Sequence, residues 1–451
     1  MFFHILAAAA PAGYRKAVTS VPSRESPPAK RQLLAACVGS IVESFDWLIY
    51  AVLAPYFAGA MFPGDDPVAQ LLASYLVFAV GFLVRPVGAV VMGRLTDRRG
   101  RRYSLVVSVA LISVSSLIIA LTPDAGAIGI FAAVIVVIAR LVQGLAMSGE
   151  QTAAGTYVVE TAPPDRRFLY GALLSSANYV GQLLALATLA VLLGVLGSEG
   201  LESGAWRIGF AVCAVLGLVA LWIRRAAPES DTYLEQVAEQ RQAAQLPLLR
   251  AHWRQAVAVF LLIVPATMGL YFVTAYLPVF LDDAGVADKA DISRYLPLLM
   301  IYLIAVIALA GRLADRFGGL RVLRAGLVVL VVTTAPVILA LQSGALPVIP
   351  GSLLYLTVLG VITAPIGIIT PQLFPPQIRA VGAGLPSMIG VALFGGTFAL
   401  VATALSAAGH AGLLPWYVTL GSVLGLTGGL LVRQGDLYDA RHSAQPDAVP
   451  A

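Results

Sequence analysis

Glu43, Asp46 and Tyr50 stand at i, i+3 and i+7 in the otherwise apolar stretch VESFDWLIY (42–50), so in a helix they share one face. Two carboxylates that close, away from water, cannot both stay ionised without a cation beside them. They are candidates for carrying a proton, with a permanent salt bridge to an arginine as the alternative. Two arginines are placed to be that cation: Arg85, which precedes Pro86, and Arg140, which opens RLVQGLAMSGE (140–150). Arg140 begins a helix face that continues through Gln143, Met147 and Glu150, a rise of about 15 Å from end to end. Arginine stays charged in any protein environment, so Arg140 must meet a carboxylate, either from the chain or from a ligand. An ionisable group in hydrocarbon costs about 2.5–3.5 kcal/mol or more at a helix centre, which makes Glu43, Asp46, Arg85, Arg140 and Glu150 functional candidates by default. Glu43, Asp46 and Glu150 are assigned to proton handling. Arg140, Tyr50, Gln143, Arg85, Asn178, Arg207 and Tyr276 are assigned to a ligand-binding wall, with a structural tether an equal reading for Arg85.

The elements that position these groups follow from composition. The chain is 59% hydrophobic and 12% charged, against about 45–50% and about 25% in soluble globular proteins. Twelve largely apolar stretches of about 18 residues or more run near 33–60, 70–92, 103–121, 127–158, 169–196, 206–223, 254–281, 294–313, 320–342, 347–371, 380–405 and 414–432. The expectation is an all-α membrane protein of twelve transmembrane helices. GRLTDRRGRR (93–102) recurs as GRLADRFGGLR (311–321), and ETAPPDRR (160–167) has a partner in QLFPPQIR (372–379), so the chain reads as two six-helix pseudo-repeats. A transport path between the halves is what such parallel repeats imply. The expected divisions are a disordered N-terminal tail (1–32), a first bundle (33–224), a linker (225–253), a second bundle (254–433) and a disordered C-terminal tail (434–451).

The loops 93–102, 161–167, 223–254, 311–321 and 373–379 hold 16 of the 29 Lys and Arg residues, whereas the opposite connections hold Lys289, Arg294 and, at a helix edge, Arg207. By the positive-inside rule both termini are cytoplasmic. This bias accounts for the net charge of +5, so no nucleic-acid partner is called for. Asp97, Arg101, Glu160, Arg167, Glu229, Asp315 and Arg316 sit at the cytoplasmic ends, where they read either as a gate or as a solvated surface cluster. Cys37 and Cys213 read as buried small hydrophobes. His4, His252, His410 and His442 fall in tails or loops, which offers no metal site. No nucleotide-binding or triad pattern is present, so neither a cofactor nor enzymatic activity is expected.

GRLTDRRGRR resembles the loop motif after the second helix of the major facilitator superfamily, and RLVQGLAMSG resembles its fourth-helix motif. VESFDWLIY, FLVRPVG (82–88), GQLLAL (181–186), WRIGF (206–210), QLFPPQIRAVGAGLP (372–386) and IGVALFGG (389–396) are similar, more narrowly, to the metabolite:proton symporter family. That resemblance implies proton-coupled uptake of a small metabolite, such as an organic acid, proline or betaine, by alternating access. It implies a monomer in the inner (plasma) membrane whose partners are a small-molecule substrate, a proton and the lipid bilayer. The chain departs from the family pattern at Ser44, Ser148, Leu174, Gln372, Ser387, Met388 and Ala399, several of them expected to face the cavity. The alternatives are a sugar-type facilitator, weakly favoured by PES (228–230), a drug:proton antiporter, and a nutrient receptor on the same scaffold. The first lacks its paired glutamines in helix 7, and the second its Gly-Pro element in helix 5.

Overall fold

The structure, a computed structural model, describes residues 29–99, 101–147, 166–225, 250–375 and 378–438, and all regular structure among them is helical. Twelve helices cross in sequence. They are α1 (Ala29–Met61), α2 (Pro67–Leu83, resuming at Arg85–Arg99), α3 (Arg101–Leu121), α4 (Phe131–Ala146), α5 (Arg167–Gly200) and α6 (Trp206–Arg225). The second set is α7 (Trp253–Tyr271, carried on through Phe272–Tyr276 and Leu277–Asp283), α8 (Lys289–Phe317), α9 (Gly319–Gln342), α10 (Val348–Gln372), α11 (Arg379–Gly390, Val391–Gly396 and Phe398–Ala407) and α12 (Leu414–Leu431). Among the described residues nine apolar stretches are long enough to span a membrane, one of them (Arg167–Trp222) containing both α5 and α6; α3 and α4 supply two shorter apolar helices. Glu150, Glu160, Glu229, most of the expected linker and the expected tails up to residue 28 and from residue 439 lie outside the described residues.

Helix starts follow local chemistry. The Asp66 side chain accepts from the Val68 N–H at 2.9 Å, with Pro67 at the first helical position of α2, and Asp288 accepts from the Ala290 N–H at 2.7 Å to open α8. Gly197 (φ 70°) and Gly204 (φ 127°) turn the chain between α5 and α6 in a conformation that a Cβ disfavours. A π-helical turn interrupts α7 at Phe272–Tyr276, just before Pro278, and another interrupts α11 at Val391–Gly396. Each shifts the helix face that follows it.

Span Ser40–Met61 of α1 is 89% buried, while Leu121 (72%), Val195 (75%) and Trp222 (76%) stand exposed on the outside of the bundle. The apolar exterior is the surface a bilayer covers, so the packed core is the bundle itself. The two sets of six helices meet where α5 packs on α8 and where α2 packs on α11. At the second seam Gly396 presses on the Phe82 ring, leaving no room for a Cβ. The chain after α12 folds back under the bundle. Arg324 of α9 donates to the Gly429 and Val432 carbonyls at 3.1 and 2.6 Å, and the Tyr438 N–H donates to the Gln372 carbonyl at 2.8 Å. His252, read from the sequence as a loop residue, is the N-cap residue of α7 and lies 3.2 Å from the Tyr438 hydroxyl.

Candidate functional site

α1 is enclosed by α2, α3, α5 and α6, so its polar face has nowhere to go but into neighbouring helices. Asp46 is wholly buried, and three other helices converge on its carboxylate. Its Oδ1 accepts from the Ser116 hydroxyl of α3, from Gln143 Nε2 of α4 at 2.7 Å and from the Cys213 thiol of α6 at 3.2 Å. Its Oδ2 faces Arg140 Nη1 of α4 at 3.5 Å. Gln143 fastens the pair from the other side: its Oε1 accepts from Arg140 Nη1 at 2.9 Å, while its Nε2 also donates to Ser116 at 2.9 Å. A buried pair of this kind persists only when such hydrogen bonds satisfy it.

Arg140 is fully buried, and its guanidinium is held flat between aromatic faces, 4.3 Å from the Trp47 ring centroid and 4.4 Å from that of Tyr50. Among the described residues its Nε and Nη2 have no hydrogen-bond partner. These two atoms form one edge of the guanidinium, the edge that takes a carboxylate through two parallel hydrogen bonds. Arg85 shares the same indole, 4.1 Å from the Trp47 centroid, and also covers Phe82 at 4.3 Å. It reaches the Met147 sulfur at 3.8 Å. Glu43 is buried as well, and its charge acts on Arg85. Phe78 packs against Trp47 and Tyr50, and Tyr271 of α7 closes on Phe78 and Phe82 with centroids 5.8 and 6.0 Å apart. The second half of the molecule thus reaches the cage through an aromatic ring.

Two close helix crossings make this geometry possible. A Cβ on Gly144 would overlap the Gly81 carbonyl, and one on Gly181 would overlap the Ile41 carbonyl, so α4 meets α2 and α5 meets α1 backbone to backbone.

The other predicted residues divide. Tyr50 donates to the Ser74 carbonyl at 3.2 Å and belongs to the cage. Asn178 accepts from the Ser44 hydroxyl at 3.0 Å, two residues before Asp46 in α1. Arg207 lies at the start of α6, donating to the Thr122 carbonyl at 2.9 Å and pairing with Asp124 at 2.5 Å. Tyr276 is the last residue of the π-helical turn and lies against Phe398 at 6.3 Å. Asp315 accepts from the Phe168 and Leu169 N–H groups, both at 2.9 Å, so it caps the start of α5 from the other half of the molecule. Arg167 is buried beside it in sequence, whereas Arg316 is exposed and lies over Phe317 at 5.3 Å. The side chains of Asp97 and Arg101 are not among those described. At the opposite end of the same α5–α8 seam, Lys289 pairs with Glu202 at 3.7 Å and Arg294 donates to the Leu193 carbonyl at 3.3 Å.

Sequence reasoning missed Trp47, Phe78, Phe82, Ser116, Cys213 and Tyr271. Ser, Cys and aromatic residues are ordinary inside a membrane helix, so none of them carries a compositional signal. Cys213 is buried as expected, but as a hydrogen-bond donor rather than an inert filler.

The family model of the Major Facilitator Superfamily matches residues 36–397. The chain belongs to the Major Facilitator Superfamily. Membership makes it a membrane transporter rather than an enzyme. The chain is 32% identical over 407 residues to the alpha-ketoglutarate permease of Escherichia coli, covering 89% of this chain and 93% of that one. It is 33% identical over 368 residues to the inner membrane metabolite transport protein YhjE of the same organism (78% and 82%). It is 27% identical over 417 residues to the proline/betaine transporter of Salmonella typhimurium (90% and 83%). These relatives agree with the metabolite:proton symporter resemblance of the motifs. Among solved structures, the D-xylose-proton symporter superposes with a TM-score of 0.72 over 90% of this chain and 97% of its own, at 18% identity. That likeness concerns the superfamily fold.

Proposed function

We propose that this transporter imports a small carboxylate metabolite together with a proton by alternating access, with both termini in the cytoplasm. The observation that carries the reading is the Arg140 guanidinium, which is half committed: Nη1 is held by Gln143 and Asp46, while the Nε–Nη2 edge meets no acceptor among the described residues. A substrate carboxylate fits that edge. Once it docks, Arg140 no longer needs the Asp46 charge, and Asp46, left as a buried carboxylate with a weakened counter-ion, takes up a proton. Proton and substrate then move together, because each stabilises the state the other requires. Glu43 and Arg85 supply a second carboxylate–guanidinium set beside the first and extend the polar face of α1. The Asp315 cap on α5 serves as the inner closure, and the Lys289–Glu202 pair as the outer one. The relatives' names support a metabolite of the organic-acid or proline/betaine kind, both of which bring a carboxylate to Arg140.

Two measurements test this. A ligand found by thermal-shift screening against organic acids, amino acids and betaines is to be counter-flowed in proteoliposomes, and its uptake driven by an inward proton gradient. Asp46→Asn is expected to abolish uphill, pH-driven uptake and to retain exchange. Uphill uptake that survives in Asp46→Asn removes Asp46 from the proton path.

A further inference from the structure

The hydrogen bonds at Asp46 are distributed unevenly between its two oxygens. Three donors from three helices, Ser116, Gln143 and Cys213, converge on Oδ1, and among the described residues only Arg140 faces Oδ2, at 3.5 Å. The donors cannot easily be reversed. Gln143 has its carbonyl turned to Arg140, which has only donors to offer, so its amide N–H groups must point at Asp46 and Ser116. Ser116, receiving one of them, has its own hydrogen left for Asp46. The third donor is a thiol. It reaches the carboxylate because α6 lies against α3 with Gly217, one turn from Cys213, backed onto Ser113, where a Cβ would overlap the serine hydroxyl.

We propose that Cys213 is a positioning residue for proton coupling: with Ser116 and Gln143 it occupies Oδ1 and so directs the incoming proton to Oδ2, the oxygen that faces Arg140. This rests on the reading of Asp46 as the proton carrier. Its consequence is mechanical. A proton on Oδ1 would disturb three helices and leave the Arg140 contact intact. A proton on Oδ2 cancels the charge opposite Arg140 and places a hydrogen in that 3.5 Å gap, so protonation loosens the Arg140–Asp46 contact and leaves the guanidinium charge to the substrate carboxylate. The charged or titratable groups around Asp46 are Arg140 of α4, Arg85 of α2 and Cys213 of α6. Of these, only the thiol donates to the acid's inner oxygen.

The chain contains two cysteines, so the infrared S–H stretch, which falls where other protein groups do not absorb, is assignable with one variant, Cys213→Ala. In the whole protein in lipid, the Cys213 band is expected at low frequency while Asp46 is ionised. It is expected to move up as pH falls through the Asp46 titration, and to stay at its upper position at every pH in Asp46→Asn. In uptake driven by a proton gradient, Cys213→Ala withdraws a donor from the ionised form and is expected to move the half-maximal pH upward, equivalent to a several-fold lower proton concentration. Cys213→Ser keeps a donor and is expected to restore the wild-type profile. A thiol band indifferent both to pH and to Asp46→Asn overturns the proposal, as does an unchanged uptake profile in Cys213→Ala. Either result leaves proton-coupled uptake standing, since that is decided by whether Asp46→Asn loses uphill transport.

Discussion

Among the described residues, Nη1 of Arg140 is the only corner of that guanidinium that is hydrogen-bonded, through Gln143 at 2.9 Å and Asp46 at 3.5 Å. The pair is buried completely, so removing one member leaves the other as an uncompensated charge. Arg140→Ala is expected to destabilise the folded transporter by about 3–5 kcal/mol. The double variant Arg140→Gln with Asp46→Asn, which removes both charges and keeps hydrogen-bonding groups, is expected to recover most of that loss. Unfolding in detergent, with the two single variants alongside, measures it; a double variant no more stable than Arg140→Ala alone refutes the pairing. The candidates at this scale were legible because charge is rare in apolar helices, and Asp46, Arg140 and Arg85 stand out in any reading. Their partners were not. Ser116 and Cys213 are 70 and 167 residues from Asp46, and nothing in a serine or a cysteine says which helix it will face.

Helix crossings decide whether those side chains meet. α2 and α4 touch through Gly81 and Gly144 with no space for a methyl group, and Arg85 and Arg140 approach the single Trp47 ring from those two helices. Gly144→Ala is expected to push the helices apart, at a cost of about 1–3 kcal/mol typical of overpacking, and to weaken substrate binding although the residue touches no substrate. A melting curve and a binding isotherm on the same preparation check this; normal affinity in a destabilised variant would separate the crossing from the site. At the start of α5, Asp315 supplies from the other half the oxygens that an N-cap residue ordinarily provides. Asp315→Ala is expected to lose about 1–2 kcal/mol of cap, which tilts the balance away from the inward-closed arrangement by roughly 5- to 30-fold. A cysteine placed at Ser175, which faces Gly367 of α10 across the halves, is expected to react correspondingly faster from the cytoplasmic side. Unaltered reactivity means the cap does not govern closure. The loop repeat signalled Asp315 in advance, but its donors on α5 were invisible, since backbone N–H groups leave no trace in residue types. That Tyr271, which the sequence did not single out, packs on Phe78 and Phe82 has a similar origin. The π-helical turn at Phe272–Tyr276 rotates everything after it, and a regular 3.6-residue period counts straight through.

At the scale of the whole molecule the fold was the most legible feature, because hydropathy reports spans directly and the loop repeat reports their grouping. How the halves touch was not legible, because between their polar ends the α5–α8 and α2–α11 seams are largely apolar and match many partners equally well. What the halves contain differs: the paired buried charges of the site belong to the first, and the second contributes Tyr271. This has an electrical consequence. With Asp46 and Arg140 opposed, the empty carrier's central cluster has no net charge. With a proton on Asp46 and one substrate carboxylate on Arg140 it again has none. A membrane potential, worth about 2.3 kcal/mol per elementary charge for each 100 mV, therefore has no purchase on either crossing. Uptake of a monoanion with one proton is expected to run at the same initial rate whether a potassium diffusion potential across the proteoliposome is clamped at zero or made inside-negative. A dianion carries one charge that the cluster leaves unbalanced, and its uptake is expected to slow under the inside-negative clamp. Potential-dependent entry of a monoanion would mean that another charge travels with the cycle.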